Sequence, residues 1–211
     1  MRCTDDPHRP RRHRRIEALR ALPRDRGGPP SRPVKKWPTA GRRRRLGACL
    51  FPGAWRRGRM TWVKPSFLWM MYRCGWGLKE GQQTVLAVEI SREGFEWALR
   101  NACLSHYVRG FHADQAAWKR ELRQAPARVQ WDPERDLRLG ALPYRSLQLG
   151  LAGEASRRYA DEWIVGIRDV TPLAHEVHGL VRQGRIEEAR AKLPEERAYP
   201  AGAGLLGQLV A

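Results

Sequence analysis

The pattern of apolar and polar residues changes abruptly near position 60. Beyond it, Trp62, Trp69 and Trp76 stand seven apart, and most of the positions between them are apolar. A segment that is apolar nearly all round a helix belongs inside a core. Proline is tolerated in a first helical turn, because its missing N–H would be unpaired there. The pattern predicts a largely buried helix from position 65 or 66 to about 73, ended by Gly75 and Gly77.

A β-branched run and two helical segments follow. Residues 84–90, TVLAVEI, are bounded by turn residues and predict a central strand. Ser91 is a suitable N-cap for a helix to about Leu104, since the apolar residues there recur at helical spacing. A more polar helix is predicted at 114–124, ahead of Pro126.

The rest of the chain mixes both periodicities. Residues 128–131 and 144–151 alternate apolar and polar side chains, as half-buried strands do, and DPERD at 132–136 predicts a charged turn between them. Helices are predicted at 154–168, 171–183 and 185–193. The sum is an α+β fold, a single small domain with a short mixed or antiparallel sheet of about three to four strands and about five helices.

The charge is concentrated ahead of this domain. The chain carries +18, and residues 1–60 hold 19 Lys and Arg against 4 Asp and Glu, whereas residues 61–211 hold 21 against 18. The first part therefore contributes +15 and the remainder +3. We expect salt-sensitive, nonspecific binding of polyanions such as nucleic acid to follow the first part of the chain.

Residues 1–58 are rich in Arg, Pro and Gly and predict a disordered basic leader, with a short helical pattern at 16–22 as its one ordered-looking piece. Three interpretations stay open: a nucleic-acid-binding arm, a solvated linker, or a stretch that is not native coding sequence, because GC-rich codons yield these residues in nearly any frame. The predicted division is the leader at 1–58, the domain at 59–200 and a flexible C-terminal tail at 201–211.

Cysteine usage and hydropathy indicate a cytoplasmic location. The cysteines Cys3, Cys49, Cys74 and Cys103 form no C-x-x-C pair, and the last two lie in apolar patterns, which predicts reduced, buried thiols. No apolar stretch approaches the roughly 20 residues that span a bilayer, and the basic start lacks the apolar region of a signal peptide. A membrane partner is therefore not expected, and the oligomeric state is not indicated by the sequence.

Four runs of the domain together resemble one protein family. They are RMTWVKPSFLWMMYRCGWG from Arg59, VLAVEISREGFEWALRNACLSH from Val85, VQWDPERDLRL from Val129 and SLQLGLAGEASRRYADEWIVGIRDVT from Ser146. Over about residues 59–200, the chain resembles the bacterial family known as domain of unknown function 4291. The resemblance implies an uncharacterised activity and supplies no catalytic residues.

The resemblance does not extend into the leader. Members of that family usually begin with a strand carrying V-Y-Q-A-Y and an alanine-rich helix, and neither is found in residues 1–58. We therefore expect the family's first strand to be absent. Its loss would leave a sheet edge with unpaired backbone groups.

The candidates for chemistry are polar or aromatic residues in apolar surroundings, since no phosphate-binding loop, metalloprotease motif or serine elbow is present. Charges in such places cost stability unless paired and are often retained for function. The candidates for catalysis are Glu89, Asp132 and Glu154. The candidates for ligand binding are Trp62, Lys64, Arg73, Trp131, Arg145 and Gln148. At least two of the charged candidates are expected to share one cleft.

Each candidate also has a structural interpretation. Lys64 could cover apolar surface with its stem, Arg73 could pair with an internal carboxylate, and Glu89 could form a salt bridge at a strand end. The tryptophans could serve core packing instead of stacking on a ligand. His175 and His178 lack two further ligands, so no metal site is predicted, and the cofactor is unknown.

Two functions from different classes fit these residues. One is an enzyme acting on a nucleotide or nucleic acid, a transferase or hydrolase, for which an ADP-ribosyltransferase-like fold is one option although no motif of that group is found. The alternative is a non-catalytic module that binds a nucleotide, RNA or a protein. A cleft with converging carboxylates would favour the enzyme, and a flat surface of aromatic and basic residues would favour the module.

Overall fold

The elements alternate between short strands and short helices. The structure, a computed structural model, describes the backbone of residues 16–22 and the whole of residues 59–197 and 199. In chain order the elements are β1 (Ile16–Leu22), β2 (Thr61–Val63), α1 (Phe67–Cys74), β3 (Thr84–Ile90), α2 (Arg92–Arg100), β4 (Ala102–Leu104), α3 (Gln115–Gln124), β5 (Ala127–Arg135), β6 (Ala141–Leu151), α4 (Gly153–Arg158), a π-helical turn (Tyr159–Trp163), β7 (Ile164–Asp169), α5 (Thr171–Arg182) and α6 (Ile186–Lys192).

The first sheet is antiparallel and has the strand order β1, β3, β7. Its central strand β3 is the β-branched run TVLAVEI, and the side chains of Val85, Val88 and Ile90 are almost fully buried. A bulge between Glu89 and Ile90 shifts the register with β7. Because β3 is buried between two neighbours and two layers of side chains, it needs the near-continuous apolar sequence that it has.

The second sheet is mixed and has the strand order β2, β6, β5, β4. The long strands β5 and β6 pair antiparallel, β2 pairs antiparallel with the end of β6, and β4 runs parallel to β5. Neighbouring residues of a strand point to opposite faces, and residues directly opposite in the ladder share a face. The regular register from Ala127 to Pro133 therefore assigns each side chain of β5 and β6 there to a face, and the register shifts between Pro133 and Arg135.

One face of the second sheet is apolar and packs in the core, where Val129, Leu149 and Leu151 have almost no exposed surface. The alternate positions form the other face, which we name the polar face. Its members on β2, β5 and β6 and directly after β2 are Trp62, Lys64, Arg128, Gln130, Asp132, Ser146 and Gln148.

Two clusters of buried apolar residues hold these elements together. The larger one joins the apolar face of the second sheet to β3, α2 and the π-helical turn, through residues such as Phe95, Val129 and Trp163. The other one packs α1 against β3, α5 and α6, through residues such as Met71 and Val177. The sheets thus share one domain.

Most sequence predictions for these elements are confirmed. The α+β class holds, although the strands form two sheets of three and four instead of one. The strand Thr84–Ile90 is found as predicted. Ser91 accepts a hydrogen bond from the first turn of α2, as predicted, and Ser66 and Asp114 cap α1 and α3 in the same way.

Three predicted elements within residues 59–200 are wrong. The helix that Ser91 caps ends at Arg100 instead of Leu104, because Ala102–Leu104 pairs with β5. The charged turn at 132–136 is strand as far as Arg135. The helix at 154–168 ends at Trp163, and Ile164–Asp169 pairs with β3. In each case pairing with another strand overrides the local helical or turn pattern.

The residues 16–22 form a strand and not the predicted helical turn. β1 pairs with β3 from Ile16 opposite Ile90 to Leu22 opposite Thr84, and so occupies an edge of the first sheet. The expectation that this edge stays open is therefore wrong.

The remaining positions of the leader, Cys3, Cys49 and the tail at 201–211 lie outside the described residues. The division into leader, domain and tail therefore stays a prediction. Within the described part of the chain, none of the helices has the length and apolar character to cross a membrane.

The contact between α2 and the π-helical turn provides a test of this packing. A Cβ added at Gly94 would lie 2.3 Å from Cγ of Trp163, whereas one added at Gly179 of α5 would meet nothing within 4 Å. We expect Gly94→Ala to lower the free energy of unfolding by about 1–3 kcal/mol through overpacking. Gly179→Ala should raise it by about 0.5–1 kcal/mol, because alanine is the better helix former. Urea denaturation measures both, and equal midpoints for the two variants would contradict the packing of α2 on Trp163.

Candidate functional site

The polar face owes its layout to the ladder between β5 and β6. Gln130 lies opposite Gln148, and Asp132 lies opposite Ser146. The register is regular at these positions, so the four side chains lie on the same face of the sheet. An unbroken set of polar side chains on one face of a sheet has to find its hydrogen bonds among themselves, in solvent or in a ligand.

A buried ion pair lies at one end of this face. The Nζ atom of Lys64 is 3.1 Å from Oδ2 of Asp132, and the exposed fractions of the two side chains are 1% and 15%. The same Nζ lies 3.4 Å from the centroid of the Trp69 ring, on α1. Gln130 donates from Nε2 to the other oxygen of Asp132 at 2.8 Å. The carboxylate of Asp132 is thus held from both sides while keeping some access to solvent.

Burial changes the proton affinity of Lys64. Desolvation lowers the pKa of Lys64 from 10.5 to about 8, and the negative charge of Asp132 opposes that decrease. Glu134 also raises the pKa, and the positive charge of Arg135 lowers it. The ammonium group is therefore kept charged at neutral pH by the acidic residues around it. Lys64 is enclosed, so its ammonium group contacts Asp132 and the ring of Trp69 instead of solvent.

A second carboxylate, Glu134, lies two residues further along β5. Ser66 donates from Oγ to Oε1 of Glu134 at 2.7 Å, and the backbone N–H of Arg135 donates to the same oxygen at 2.8 Å. The Oγ of Ser66 also accepts from the N–H of Trp69 at 3.2 Å and so caps α1. The hydroxyl of Ser66 thus links α1, the helix that covers Lys64, to β5, the strand that carries Asp132 and Glu134.

Along the polar face, from Ser146 opposite Asp132 to Arg128 four residues before it, three buried polar atoms are unsatisfied. Oγ of Ser146, Oε1 of Gln148 and Nε of Arg128 have no hydrogen-bond partner within the described residues. A buried polar group without a partner costs about 1–3 kcal/mol. Unsatisfied groups next to a fixed carboxylate mark a place where a polar ligand would find partners.

Aromatic and basic side chains surround this position. The guanidinium carbon of Arg135 lies 3.7 Å from the centroid of the Tyr72 ring. A Cβ added at Gly150 would lie 3.0 Å from the Trp62 ring, so Trp62 lies across the glycine of β6. Beyond Glu134, a shallow cavity of about 180 Å³ is lined by Ser66, Phe67, Leu68, Glu134, Arg135, Tyr144, Leu193, Pro194 and Glu196. In its wall, the carboxylate of Glu196 accepts from the N–H of Phe67 at 2.7 Å.

The structure brings together four of the candidates predicted from sequence. Trp62, Lys64, Asp132 and Gln148 share the polar face. Arg73 lies at the edge of this group, with its guanidinium carbon 5.9 Å from the centroid of the Trp69 ring.

The other four candidates lie elsewhere. The register places Trp131 and Arg145 on the opposite face, where Arg145 donates from Nη1 to the carbonyl of Trp131 at 2.9 Å. Glu89 belongs to the first sheet and lies 3.9 Å from Arg168. Glu154 follows the end of β6, about 17 Å along the strand from the residue opposite Asp132, and lies 3.9 Å from Arg158.

Sequence reasoning missed Ser66, Glu134, Arg135 and Ser146 as part of this group. Glu134 and Arg135 fall in the segment 132–136, which the sequence analysis assigns to a turn. The run VQWDPER at 129–135 nevertheless continues the alternation of a strand. Ser66 was predicted near the start of a helix, and nothing local shows that its hydroxyl reaches Glu134.

Fold and site together define a small α+β domain in which a buried lysine fixes a carboxylate on the polar face of a mixed sheet. The profile of the family described as Domain of unknown function (DUF4291) matches residues 45–199, and the chain belongs to this family. This match starts at residue 45, whereas the resemblance found in the sequence starts at about residue 59. No curated protein and no solved structure matches the chain significantly.

The lowered pKa of Lys64 predicts how stability depends on pH. Between pH 8 and 10.5 the folded protein has lost this proton while the unfolded chain keeps it, so stability rises with pH in that window. Below pH 8 both states hold the proton, and the contribution is constant. Relative to Lys64→Met, the wild type should gain about 2 kcal/mol of unfolding free energy between pH 8 and 9.5.

Urea denaturation at pH 7, 8 and 9.5 measures this difference. Subtracting the variant removes the opposite contribution of groups such as Cys103, whose raised pKa makes stability fall at high pH. Lys79→Met, at an exposed lysine, is the matched control and should follow the wild type. A constant difference between wild type and Lys64→Met from pH 7 to 9.5 would show that Lys64 is not desolvated.

Proposed function

We propose that the protein is an enzyme that acts on a nucleotide or nucleic acid bound to the polar face of the second sheet. The observation that supports this most strongly is the fixed carboxylate of Asp132 beside the unsatisfied Ser146 and Gln148. A purely structural ion pair has no need of unsatisfied neighbours. A site that binds a polar ligand needs preorganised groups that the free protein leaves unpaired.

In this proposal Asp132 is the catalytic residue. Lys64 and Gln130 hold its oxygens in place, so it can accept a proton from an attacking hydroxyl or stabilise positive charge that develops on a reacting carbon. Lys64 is a positioning residue, because it is almost fully enclosed and already contacts Asp132 and the Trp69 ring.

The neighbouring residues suit a phosphorylated, aromatic ligand. Ser146 and Gln148 offer hydrogen bonds to a base or a sugar, and the guanidinium groups of Arg128 and Arg135 suit phosphate. Trp62 and the exposed Tyr144 offer surfaces on which a base can stack. The proposed reaction is therefore a transfer or hydrolysis at a nucleotide, with NAD⁺ among the substrates to be tested because a fixed carboxylate suits a glycosidic carbon that becomes positive.

The non-catalytic alternative has one observation in its favour. Tyr72 and Tyr144 are exposed, and Arg135 stacks on Tyr72, which is how proteins that bind single-stranded RNA without chemistry present bases with a platform. Such a module would bind a nucleotide, RNA or a protein through the side chains of Tyr72, Arg135 and Tyr144. It would not need the ion pair behind it.

The experiment is a thermal-shift screen of the full chain with NAD⁺, ATP, GTP and a short RNA, followed by assays of the same compounds for turnover. We expect at least one to raise the melting temperature of the wild type. Asp132→Asn should retain binding and lower turnover by about 100-fold or more, because it keeps the shape and removes the charge. Glu187→Gln, at an exposed carboxylate of α6, is the control and should not change either quantity.

The outcomes separate the two classes. Binding of a probe without turnover by the wild type would favour the binding module. Turnover that Asp132→Asn leaves unchanged would refute the proposed role of Asp132. If none of the four probes shifts the melting temperature, the nucleotide proposal fails.

A further inference from the structure

At the other edge of the second sheet, three side chains of different chemistry converge. We propose that Cys103, His112 and Glu121 bind a transition-metal ion, with Zn²⁺ as the expected one. Sγ of Cys103, a ring nitrogen of His112 and a carboxylate oxygen of Glu121 all lie within 4.8 Å of one another. The proposal does not depend on the proposed function.

The fold holds each of these residues by separate means. Cys103 lies in β4, whose parallel pairing with β5 places it opposite Arg128. Glu121 lies in α3, which Asp114 caps by accepting from the N–H of Ala117 at 2.6 Å. Trp118, one turn before Glu121, donates from Nε1 to the carbonyl of Leu104 at 2.9 Å and so anchors α3 against β4. The sequence puts His112 in the connection between these two elements.

His112 is buried and has a ring nitrogen without a hydrogen-bond partner among the described residues. Its exposed fraction is 8%, and its Nε2 has no hydrogen-bond partner in the described part of the chain. Its Nδ1 accepts a hydrogen bond from the backbone N–H of Val108 at 3.2 Å and lies 3.3 Å from the carbonyl of the same residue. A metal that binds at Nε2 requires the ring proton on Nδ1, where the carbonyl of Val108 lies within hydrogen-bond distance to accept it. Rings of Tyr107, Phe111 and Trp118 surround the imidazole.

The donor set indicates the class of metal. A thiolate, an imidazole and a carboxylate together suit Zn²⁺, which accepts sulfur, nitrogen and oxygen at about 2.0–2.3 Å. Around such an ion the ligand atoms would lie about 3.5 Å apart, so a contraction on the order of 1 Å completes the site. Glu121 is exposed and can move by that amount through its side-chain rotamers. Three protein ligands leave a fourth position for water or a substrate.

Cobalt provides the direct test, because Co²⁺ bound to a thiolate absorbs in the near ultraviolet by charge transfer and tetrahedral Co²⁺ absorbs strongly in the visible. The full chain is titrated with Co²⁺, and Zn²⁺ then displaces it. We expect one Co²⁺ per chain with a charge-transfer band. Cys103→Ser should abolish the band, and His112→Gln and Glu121→Gln should weaken Zn²⁺ binding by about 100-fold or more.

The controls separate this site from the other thiols. Cys74→Ser, at the other buried cysteine of the described residues, and the double variant Cys3→Ser/Cys49→Ser should keep the band and the affinity. Glu121 is exposed, so Glu121→Gln tests the site even where a buried substitution lowers stability. A band that survives Cys103→Ser, an unchanged Zn²⁺ affinity of Glu121→Gln, or no binding of Co²⁺ by the wild type would overturn the proposal.

Discussion

The antiparallel pairing of β5 with β6 determines both the core and the candidate site. Its register puts Val129 and Leu149 into the core and, at the alternate positions, Asp132 and Gln148 onto the polar face. Because side chains alternate strictly along a strand, a slip of one residue would exchange the two sets. Burial of the apolar face therefore holds the polar side chains in register. The precision of the site comes from the hydrophobic core behind it.

The buried Lys64 connects this sheet to the helical layer. Taking an ammonium group out of water is unfavourable, which its lowered pKa shows, and the structure offsets that cost with Asp132 and the ring of Trp69. Ser66 couples the same helix to Glu134. Any shift of α1 would expose the pair or separate it. The site is thus part of the packing of the domain, and its parts are expected to change together.

The sequence predicts this fold well where local residues determine the secondary structure of a segment. The strand Thr84–Ile90 and the capped starts of α1, α2 and α3 follow from local residues. It fails where a distant strand decides, as for Ile16–Leu22, Ala102–Leu104 and Ile164–Asp169, which become strands by pairing. The site follows the same rule: Lys64 and Asp132 stand out as charges among apolar neighbours, but the convergence of Cys103, His112 and Glu121 depends on how α3 packs against β4.

The central claim is that the polar face is shaped for a ligand, and Gln148 tests it most directly. Its buried Oε1 has no partner among the described residues, so removing the amide should cost the free protein little. For Gln148→Leu we expect a melting temperature equal to or above that of the wild type, together with loss of the thermal shift by whichever nucleotide the wild type binds. A melting temperature lowered by several degrees, with ligand binding intact, would show that Gln148 supports the fold and would contradict the account.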